Sequence, residues 1–199
     1  MGRLVLITGG VRSGKSGFAE HYAARLAPQG EVRYVATAQA WDAEMRERVA
    51  RHQARRPATW RTVEAPYELV QAVEQALGVG VAVVLVDAVD SWVGNRLMRA
   101  DPVAGEQLDG QKLDILERAL LAEARDLAAA QRSSGREVIL VTLEAGMGVV
   151  PPYPLGRAFR DLLGRVNTTL AAEADEVYLL VAGLPVEVKS LSARSMHAP

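Results

Sequence analysis

The segment from Gly9 to Ser16 carries the clearest chemical signal in the sequence. Its spacing, G-x-x-x-x-G-K-[ST], follows an apolar run of strand length and precedes a run of helical period. Glycines at these positions let successive backbone N–H groups converge on phosphate oxygens, and the N-terminus of the following helix adds partial positive charge. A glycine turn with an incidental lysine fits this context less well. The pattern predicts a nucleotide-binding loop made of Gly9, Gly10, Val11, Arg12, Ser13, Gly14, Lys15 and Ser16.

The loop predicts a magnesium-dependent phosphoryl transfer. Lys15 is expected to reach the β- and γ-phosphates of a triphosphate, and the Ser16 hydroxyl to bind Mg²⁺. Asp87 ends an apolar strand, where folds of this kind place a carboxylate that holds Mg²⁺ directly or through water. Asp90 is a competing candidate in the same loop, and Asp87 could instead cap the next turn. The sequence thus predicts Mg²⁺ as cofactor, held by Ser16 and Asp87.

His52 is the other residue whose type and surroundings could do chemistry. It stands among Arg48, Arg51, Arg55 and Arg56. A neutral imidazole, with an unperturbed pKa of ~6.5, can attack phosphorus at physiological pH, and nearby guanidinium groups would stabilise the charge that develops. A single histidine among arginines is also typical of a solvated helix face. Spacing alone leaves both interpretations open.

Apolar runs of strand length alternate with longer runs of helical period, which is typical of β-α-β units on a parallel sheet. The predicted strands are Leu4–Thr8, Val32–Thr37, Thr59–Val63, Val81–Val86, Glu137–Thr142, Val177–Val181 and Val186–Leu191. The predicted helices are Ser16–Leu26, Asp42–Arg55, Tyr67–Leu77, Leu113–Gln131 and Leu155–Ala174. We expect an α/β fold with a mostly parallel central sheet, flanking helices and a C-terminal hairpin around Gly183-Leu184-Pro185. Residues 100–110 read as a surface excursion, and residues 192–199 as a frayed tail.

Size and composition favour one small-molecule-binding domain. A chain of 199 residues is long enough for one sizeable core, so residues 1–199 are expected to form a single catalytic domain. The 23 Lys and Arg residues nearly balance the 24 Asp and Glu residues, which argues against a nucleic-acid partner. The absence of cysteine excludes disulfides and thiolate chemistry. No apolar run reaches the ~18 residues of a membrane span, and the expected location is the cytoplasm.

Further motifs follow the phosphate loop in a fixed order along the chain. They are Tyr34-Val35-Ala36-Thr37-Ala38, Asp42-x-Glu44-Met45-x-x-Arg48-Val49-x-x-His52, Trp60-Arg61-Thr62-x-Glu64, Val86-Asp87 with Trp92 and Asn95, Glu144-x-Gly146-Met147-Gly148-Val149-Val150-Pro151 and Leu155-Gly156-Arg157-x-Phe159-Arg160-Asp161. With this ordered set the chain resembles, over nearly its whole length, the bifunctional adenosylcobinamide kinase/adenosylcobinamide-phosphate guanylyltransferase family of cobalamin biosynthesis. It departs from the family pattern at Ala88, Asp90 and Leu143, where the family commonly has Cys, Thr and Asn.

The resemblance implies a P-loop NTPase fold, a homotrimer and two reactions. ATP or GTP would phosphorylate adenosylcobinamide, and GTP would then donate GMP to the new phosphate through a covalent intermediate on His52. The nucleotide contacts that the resemblance implies, besides the phosphate loop, are Ala36, Thr37, Ala38, Gln53, Ala54, Arg55, Arg56, Glu64 and Asp87. The implied partners are therefore adenosylcobinamide, ATP and GTP.

Two other functions remain as alternatives. A different P-loop small-molecule kinase would use Lys15 and Asp87 and leave His52 inert. A nucleotide-dependent switch module would hydrolyse slowly and act through partners. The kinase would form no covalent nucleotide adduct, and the switch would show no turnover that depends on cobinamide.

Overall fold

Strands and helices alternate along the chain, as the apolar pattern predicts. The computed structural model describes residues 2–39, 47, 56–100 and 109–191. The strands are β1 (Leu4–Gly9), β2 (Glu31–Ala36), β3 (Arg61–Glu64), β4 (Val81–Asp87), β5 (Glu137–Val141), β6 (Glu176–Val181) and β7 (Leu184–Glu187). The helices are α1 (Lys15–Leu26), α2 (Leu69–Ala76), α3 (Val89–Ala100), α4 (Gly110–Ser134), α5 (Pro154–Glu173) and α6 (Val188–Leu191). The predicted helix Asp42–Arg55, the excursion between Ala100 and Asp109 and the predicted tail lie, apart from Glu47, outside the described residues.

The strands form one mostly parallel sheet, which confirms the predicted α/β class. Among the described residues the order is β3-β2-β4-β5-β1-β6-β7, and only β7 runs antiparallel to its neighbour. Asp87 lies beside Ala36 on one side and beside Val141 on the other, and Ala36 lies beside Glu64. The carboxyl ends of these strands therefore meet at one edge, where ligands bind in open α/β sheets.

Helices cover both faces of the sheet. Alternate residues of β1 point to opposite faces, so Leu6 packs in the core beneath α2, α3, α4 and α5 while Ile7 packs beneath α1. Both side chains are essentially buried, as they are along β4 and β5. Burial on two faces explains why these strands read as continuous apolar runs rather than as alternating patterns.

The long helix α4 extends beyond its predicted range of Leu113–Gln131 at both ends. Asp109 caps its first turn, since its carboxylate accepts hydrogen bonds from the backbone N–H groups of Gln111 and Lys112 at 2.9 and 3.2 Å. Gly135 ends it in a left-handed conformation with φ 63°. The caps, rather than the apolar period, determine where this helix begins and ends.

Helix α3 was not predicted from the sequence. Its buried residues Val89, Trp92, Val93 and Leu97 have the i, i+3, i+4, i+8 spacing of a helix face. The indole Nε1 of Trp92 donates to the carbonyl of Tyr67 at 2.9 Å. The periodic signal was therefore present in the sequence, directly after the aspartate that ends β4.

The predicted C-terminal hairpin is confirmed, but its turn and second strand differ from the prediction. The turn is Ala182-Gly183, with φ 50° and 84°, which is the positive-φ pair that tight hairpins favour. Leu184 pairs with Val181 and belongs to β7 rather than to the turn. The predicted strand Val186–Leu191 is wrong beyond Glu187, because the Glu187 carboxylate accepts from the N–H groups of Lys189 and Ser190 and starts α6.

The helices were also compared with the length and hydropathy of membrane spans. In the part of the chain that the structure describes, none combines enough length with enough apolar character to cross a bilayer.

Candidate nucleotide-binding site

The phosphate loop connects β1 to α1 at the carboxyl edge of the sheet, as predicted. Gly9 and Gly14 have φ values of 153° and 94°. A Cβ atom on Gly9 would lie 2.5 Å from the Leu180 carbonyl oxygen and 2.8 Å from Ser13 Oγ, so only glycine fits there. Arg12 also has positive φ, at 56°. These positive-φ residues curl the backbone so that its N–H groups can converge on an anion.

The hairpin turn supports this loop from the side. The N–H of Gly183 donates to the carbonyl of Ser13 at 3.0 Å, and the N–H of Ser13 donates to the carbonyl of Gly10 at 3.3 Å. The N–H of Phe18 donates to the carbonyl of Gly14 at 2.9 Å and begins the hydrogen bonding of α1. The loop conformation therefore depends on both the helix that follows it and a distant part of the chain.

Lys15 lies against the loop that it is predicted to serve. Its Nζ donates to the carbonyl oxygen of Gly10 at 2.9 Å. The ammonium group is thus held at the concave backbone where the phosphates are expected. A charge there would interact strongly with phosphate oxygens, because charge-assisted hydrogen bonds are about twice as strong as neutral ones.

The two predicted metal ligands are brought together. Ser16 Oγ lies 3.4 Å from Asp87 Oδ1. The other oxygen, Asp87 Oδ2, accepts a hydrogen bond from the Tyr34 hydroxyl at 2.6 Å. Hydroxyl and carboxylate oxygens beside a phosphate site are the hard ligands that Mg²⁺ prefers. Among the described residues no three His, Cys, Asp or Glu side chains cluster as a metal site.

Tyr34 stays a hydrogen-bond donor over the physiological pH range. Burial, followed by the negative charge of Asp87, raises the pKa of its hydroxyl well above the usual value. Asp87 therefore keeps a neutral phenol, and not a phenolate, at its second oxygen.

Asp90, the competing candidate, lies in the first turn of α3. Burial and then the charge of Asp87 raise its pKa to about 6, while Lys15 and the backbone N–H groups of Asp90 and Leu143 lower it. Asp90 is therefore electrostatically coupled to both Asp87 and Lys15. In the structure it is the carboxylate of Asp87 that lies within hydrogen-bond distance of Ser16.

Thr37 has its side chain directed into the protein. Its Oγ1 donates to the carbonyl of Ala88 at 2.5 Å and accepts from the N–H of Ala88 at 2.8 Å. Its carbonyl accepts from Asn95 Nδ2 at 2.8 Å. Thr37 is fully buried, whereas its neighbour Ala38 is exposed. Thr37 thus ties the end of β2 to the connection between β4 and α3.

The remaining residues that the resemblance implies as nucleotide contacts divide into two groups. Ala36 and the exposed Glu64 lie side by side where β2 and β3 end, at the same edge as Asp87. His52, Gln53, Ala54 and Arg55 lie outside the described residues.

Arg56 packs against Tyr34 and Glu20. Its Cζ lies 3.2 Å from the centroid of the Tyr34 ring, and its Nε lies 3.6 Å from Glu20 Oε1. Only 7% of its side chain is exposed. The guanidinium group therefore stacks on the same tyrosine that bonds Asp87.

Two polar residues that sequence reasoning left without a role hold the connections around the site. Asn95 Nδ2 donates to the carbonyls of Thr37 and Pro66 at 2.8 and 2.9 Å. The N–H of Glu144 donates to the carbonyl of Gly9 at 3.0 Å, which joins the segment after β5 to the phosphate loop. The sequence signal that could have identified Asn95 was its position, as a polar residue, three places after the buried Trp92 on the same helix.

Comparisons with known proteins agree on one family. The sequence model of a family described as cobinamide kinase / cobinamide phosphate guanyltransferase matches residues 5–188. The chain is 41% identical over 186 residues to the bifunctional adenosylcobalamin biosynthesis protein CobU of Escherichia coli, covering 94% of this chain and 99% of that protein. It is also 41% identical to CobU of Salmonella typhimurium, with coverages of 94% and 99%. The bifunctional protein CobP of Pseudomonas aeruginosa is 41% identical, with coverages of 92% and 96%.

Among solved structures, an ATPase domain has a similar fold. The TM-score is 0.54 at 13% identity, and the match covers 90% of this chain and 69% of that one. At this identity the likeness concerns the fold alone, and it agrees with the predicted P-loop class.

Proposed function

The chain belongs to the cobinamide kinase / cobinamide phosphate guanyltransferase family, and on that premise we propose that it catalyses both transfers on adenosylcobinamide. In the first, the γ-phosphoryl group of ATP or GTP passes to the hydroxyl of the aminopropanol arm. In the second, GTP donates GMP to that phosphate and releases pyrophosphate. The observation that carries the proposal is the meeting of the phosphate loop, Lys15, Ser16 and Asp87 at one edge of the sheet.

The kinase step needs positioning and charge more than covalent help from the protein. The acceptor oxygen forms a bond to the γ-phosphorus as the bond to the bridging β–γ oxygen breaks. Backbone N–H groups of the loop and the ammonium group of Lys15 would hold the phosphates, and Ser16 and Asp87 would hold Mg²⁺, which neutralises developing charge on the phosphate oxygens. The hydroxyl proton of the acceptor would pass to water, and ADP or GDP would leave.

The guanylyltransferase step is assigned to His52. An imidazole nitrogen would attack the α-phosphorus of GTP and displace pyrophosphate. An oxygen of the acceptor phosphate would then attack the same phosphorus and break the N–P bond. Imidazole suits both halves because it is a good nucleophile and, once protonated, a good leaving group.

The position of Arg56 supports this assignment. Arg56 comes four positions after His52, so their Cα atoms are at most ~14 Å apart in an extended chain. Arg56 is stacked on Tyr34, which bonds Asp87. One guanidinium group of the arginine cluster around His52 thus contacts the tyrosine that bonds the predicted metal ligand Asp87.

Labelling with GTP that carries ³²P at the α-position tests the proposal. The protein is denatured after incubation, and labelled peptides are mapped. We expect acid-labile, base-stable label on His52, with none after His52→Ala and no label from γ-labelled GTP. The matched control is His21→Ala, since His21 lies on the exposed side of α1 with Nδ1 near the Gly17 carbonyl. Label of wild-type strength in His52→Ala would refute the assignment.

The kinase half has a separate readout. Phosphorylation of adenosylcobinamide should remain measurable in His52→Ala, since that step does not pass through the histidine. Equal loss of both activities would contradict separate roles. The Mg²⁺ requirement, the homotrimer implied by the resemblance and the cytoplasmic location stay predictions.

A further inference from the structure

Tyr34 occupies a position between the metal-binding pair and the chain that follows His52. It lies on β2, next to the strand that carries Asp87, and the residue is 2% exposed. Its hydroxyl donates to Asp87 Oδ2 at 2.6 Å, while Asp87 Oδ1 faces the hydroxyl of Ser16 at 3.4 Å. The two oxygens of one carboxylate are thus given different partners.

The ring of Tyr34 is itself fixed. The Arg56 guanidinium stacks on it at 3.2 Å, and Glu20 from α1 lies 3.6 Å from Arg56 Nε. A planar guanidinium against an aromatic face is favourable, and more so when buried. The phenol therefore cannot swing away from Asp87 without breaking this stack.

We propose that Tyr34 is a positioning residue for magnesium: its hydroxyl holds the Asp87 carboxylate with one oxygen turned to Ser16 and the metal. The inference rests on the proposed role of Ser16 and Asp87 as metal ligands. A carboxylate without this hydrogen bond could rotate about its Cβ–Cγ bond and point either oxygen at the metal in several orientations. Partners that orient a ligand in this way commonly change metal affinity about 10–100-fold when they are removed.

The test measures nucleotide binding and not turnover. A non-hydrolysable GTP analogue is titrated into wild type and Tyr34→Phe, once in EDTA and once over a series of Mg²⁺ concentrations. The phenylalanine keeps the ring and its stacking on Arg56 and removes only the hydroxyl. We expect unchanged affinity in EDTA and a half-maximal Mg²⁺ concentration raised about tenfold.

Tyr178→Phe is the matched control. The Tyr178 hydroxyl also donates to a carboxylate, that of Glu176 at 3.0 Å, but on β6 and away from Asp87. This variant should bind Mg²⁺ and nucleotide like wild type. A purely structural role for Tyr34 would lower affinity equally in EDTA and in Mg²⁺, and that outcome would overturn the proposal.

A second measurement covers the case in which Tyr34→Phe does not fold. Site-specific 3-fluorotyrosine keeps the hydroxyl but makes it a stronger donor, so at position 34 it should shift the half-maximal Mg²⁺ concentration and at position 178 it should not. Equal values at the two positions would overturn the inference. If wild-type binding shows no Mg²⁺ dependence, the metal assignment of Ser16 and Asp87 fails instead, which distinguishes the two failures.

Discussion

The backbone N–H of Gly183 donates a 3.0 Å hydrogen bond to the carbonyl of Ser13, so the C-terminal hairpin turn buttresses the phosphate loop. Gly183 has φ 84°, and a Cβ atom on it would meet nothing within 4 Å. Any effect of a larger residue there would therefore come from backbone strain and not from a clash. A substitution at Gly183 therefore tests how the backbone conformation of the turn, and not side-chain packing, supports the phosphate loop.

Gly183→Ala should weaken nucleotide binding. The left-handed conformation costs a non-glycine residue about 1–2 kcal/mol, and relief of that strain would displace the N–H that holds Ser13. Gly80→Ala is the matched control, since Gly80 has φ 87° and equally open surroundings but precedes β4 at the opposite edge of the sheet. Calorimetric titration with a GTP analogue should show weaker binding in Gly183→Ala alone. Equal affinities in the two variants would argue against the buttress.

Lys15→Ala should lower the rate of adenosylcobinamide phosphorylation by about 10²–10³, the loss typical of one charge-stabilising donor at a transition state. The ammonium group lies at the loop carbonyl of Gly10, where the phosphates are expected. Lys112→Ala, a change in the first turn of α4, provides the control. Product formation is followed with γ-labelled ATP. A Lys15→Ala protein with wild-type rate would remove Lys15 from the mechanism.

Asp90→Asn should stabilise the protein at high pH. The folded-state pKa of Asp90 is raised to about 6 from an ordinary value of 3.8, so ionisation costs folding free energy. The cost is absent below pH 4, grows between pH 4 and 6 and is complete above that window. Removing the charge should therefore raise the free energy of unfolding by up to about 3 kcal/mol at pH 8 and change it little at pH 4.

Urea denaturation of wild type and Asp90→Asn at both pH values checks this expectation. A stabilisation that is the same at pH 4 and pH 8 would mean that the effect does not arise from the carboxylate charge. Asp126→Asn on the exposed face of α4 controls for the general effect of removing one negative charge.

Asn95→Asp should destabilise the protein by about 1–3 kcal/mol. The amide nitrogen donates to the carbonyls of Thr37 and Pro66, and a carboxylate would put negative charge against both oxygens. Gln111→Glu makes the same chemical change at an exposed position of α4. The midpoints of thermal unfolding should fall for Asn95→Asp only. If both variants melt like wild type, Asn95 does not hold these connections.

Much of the fold could be predicted because its signals are local. The glycine spacing and the alternation of apolar runs identified the loop, the parallel sheet and most elements. At two boundaries where the prediction failed, a single hydrogen-bonding residue decided the outcome: Glu187 ends β7 by capping α6, and Asp109 starts α4 before its apolar period begins. Such effects depend on side-chain geometry that periodicity does not contain.

The residues of the candidate site could be predicted from the sequence only in part. Lys15, Ser16 and Asp87 could be named because their motif positions imply their roles. Tyr34 and Asn95 could be quoted within motifs but given no role, because their partners come from other parts of the chain. The hydroxyl of Thr37, similarly, is directed to Ala88 by the packing of β2 against β4.

By itself, the sequence determined that a phosphate-binding loop joins a buried strand to a helix, and that the chain has the motifs of one family. Glycine conformation and apolar period act over a few residues, so they can be read without knowing the fold. Only the tertiary structure decided which oxygen of Asp87 faces Ser16 and which accepts from Tyr34, and that Gly183 supports Ser13. These relationships join segments that are distant in sequence, and the packing of the sheet with its loops and helix α1 brings their atoms within bonding distance.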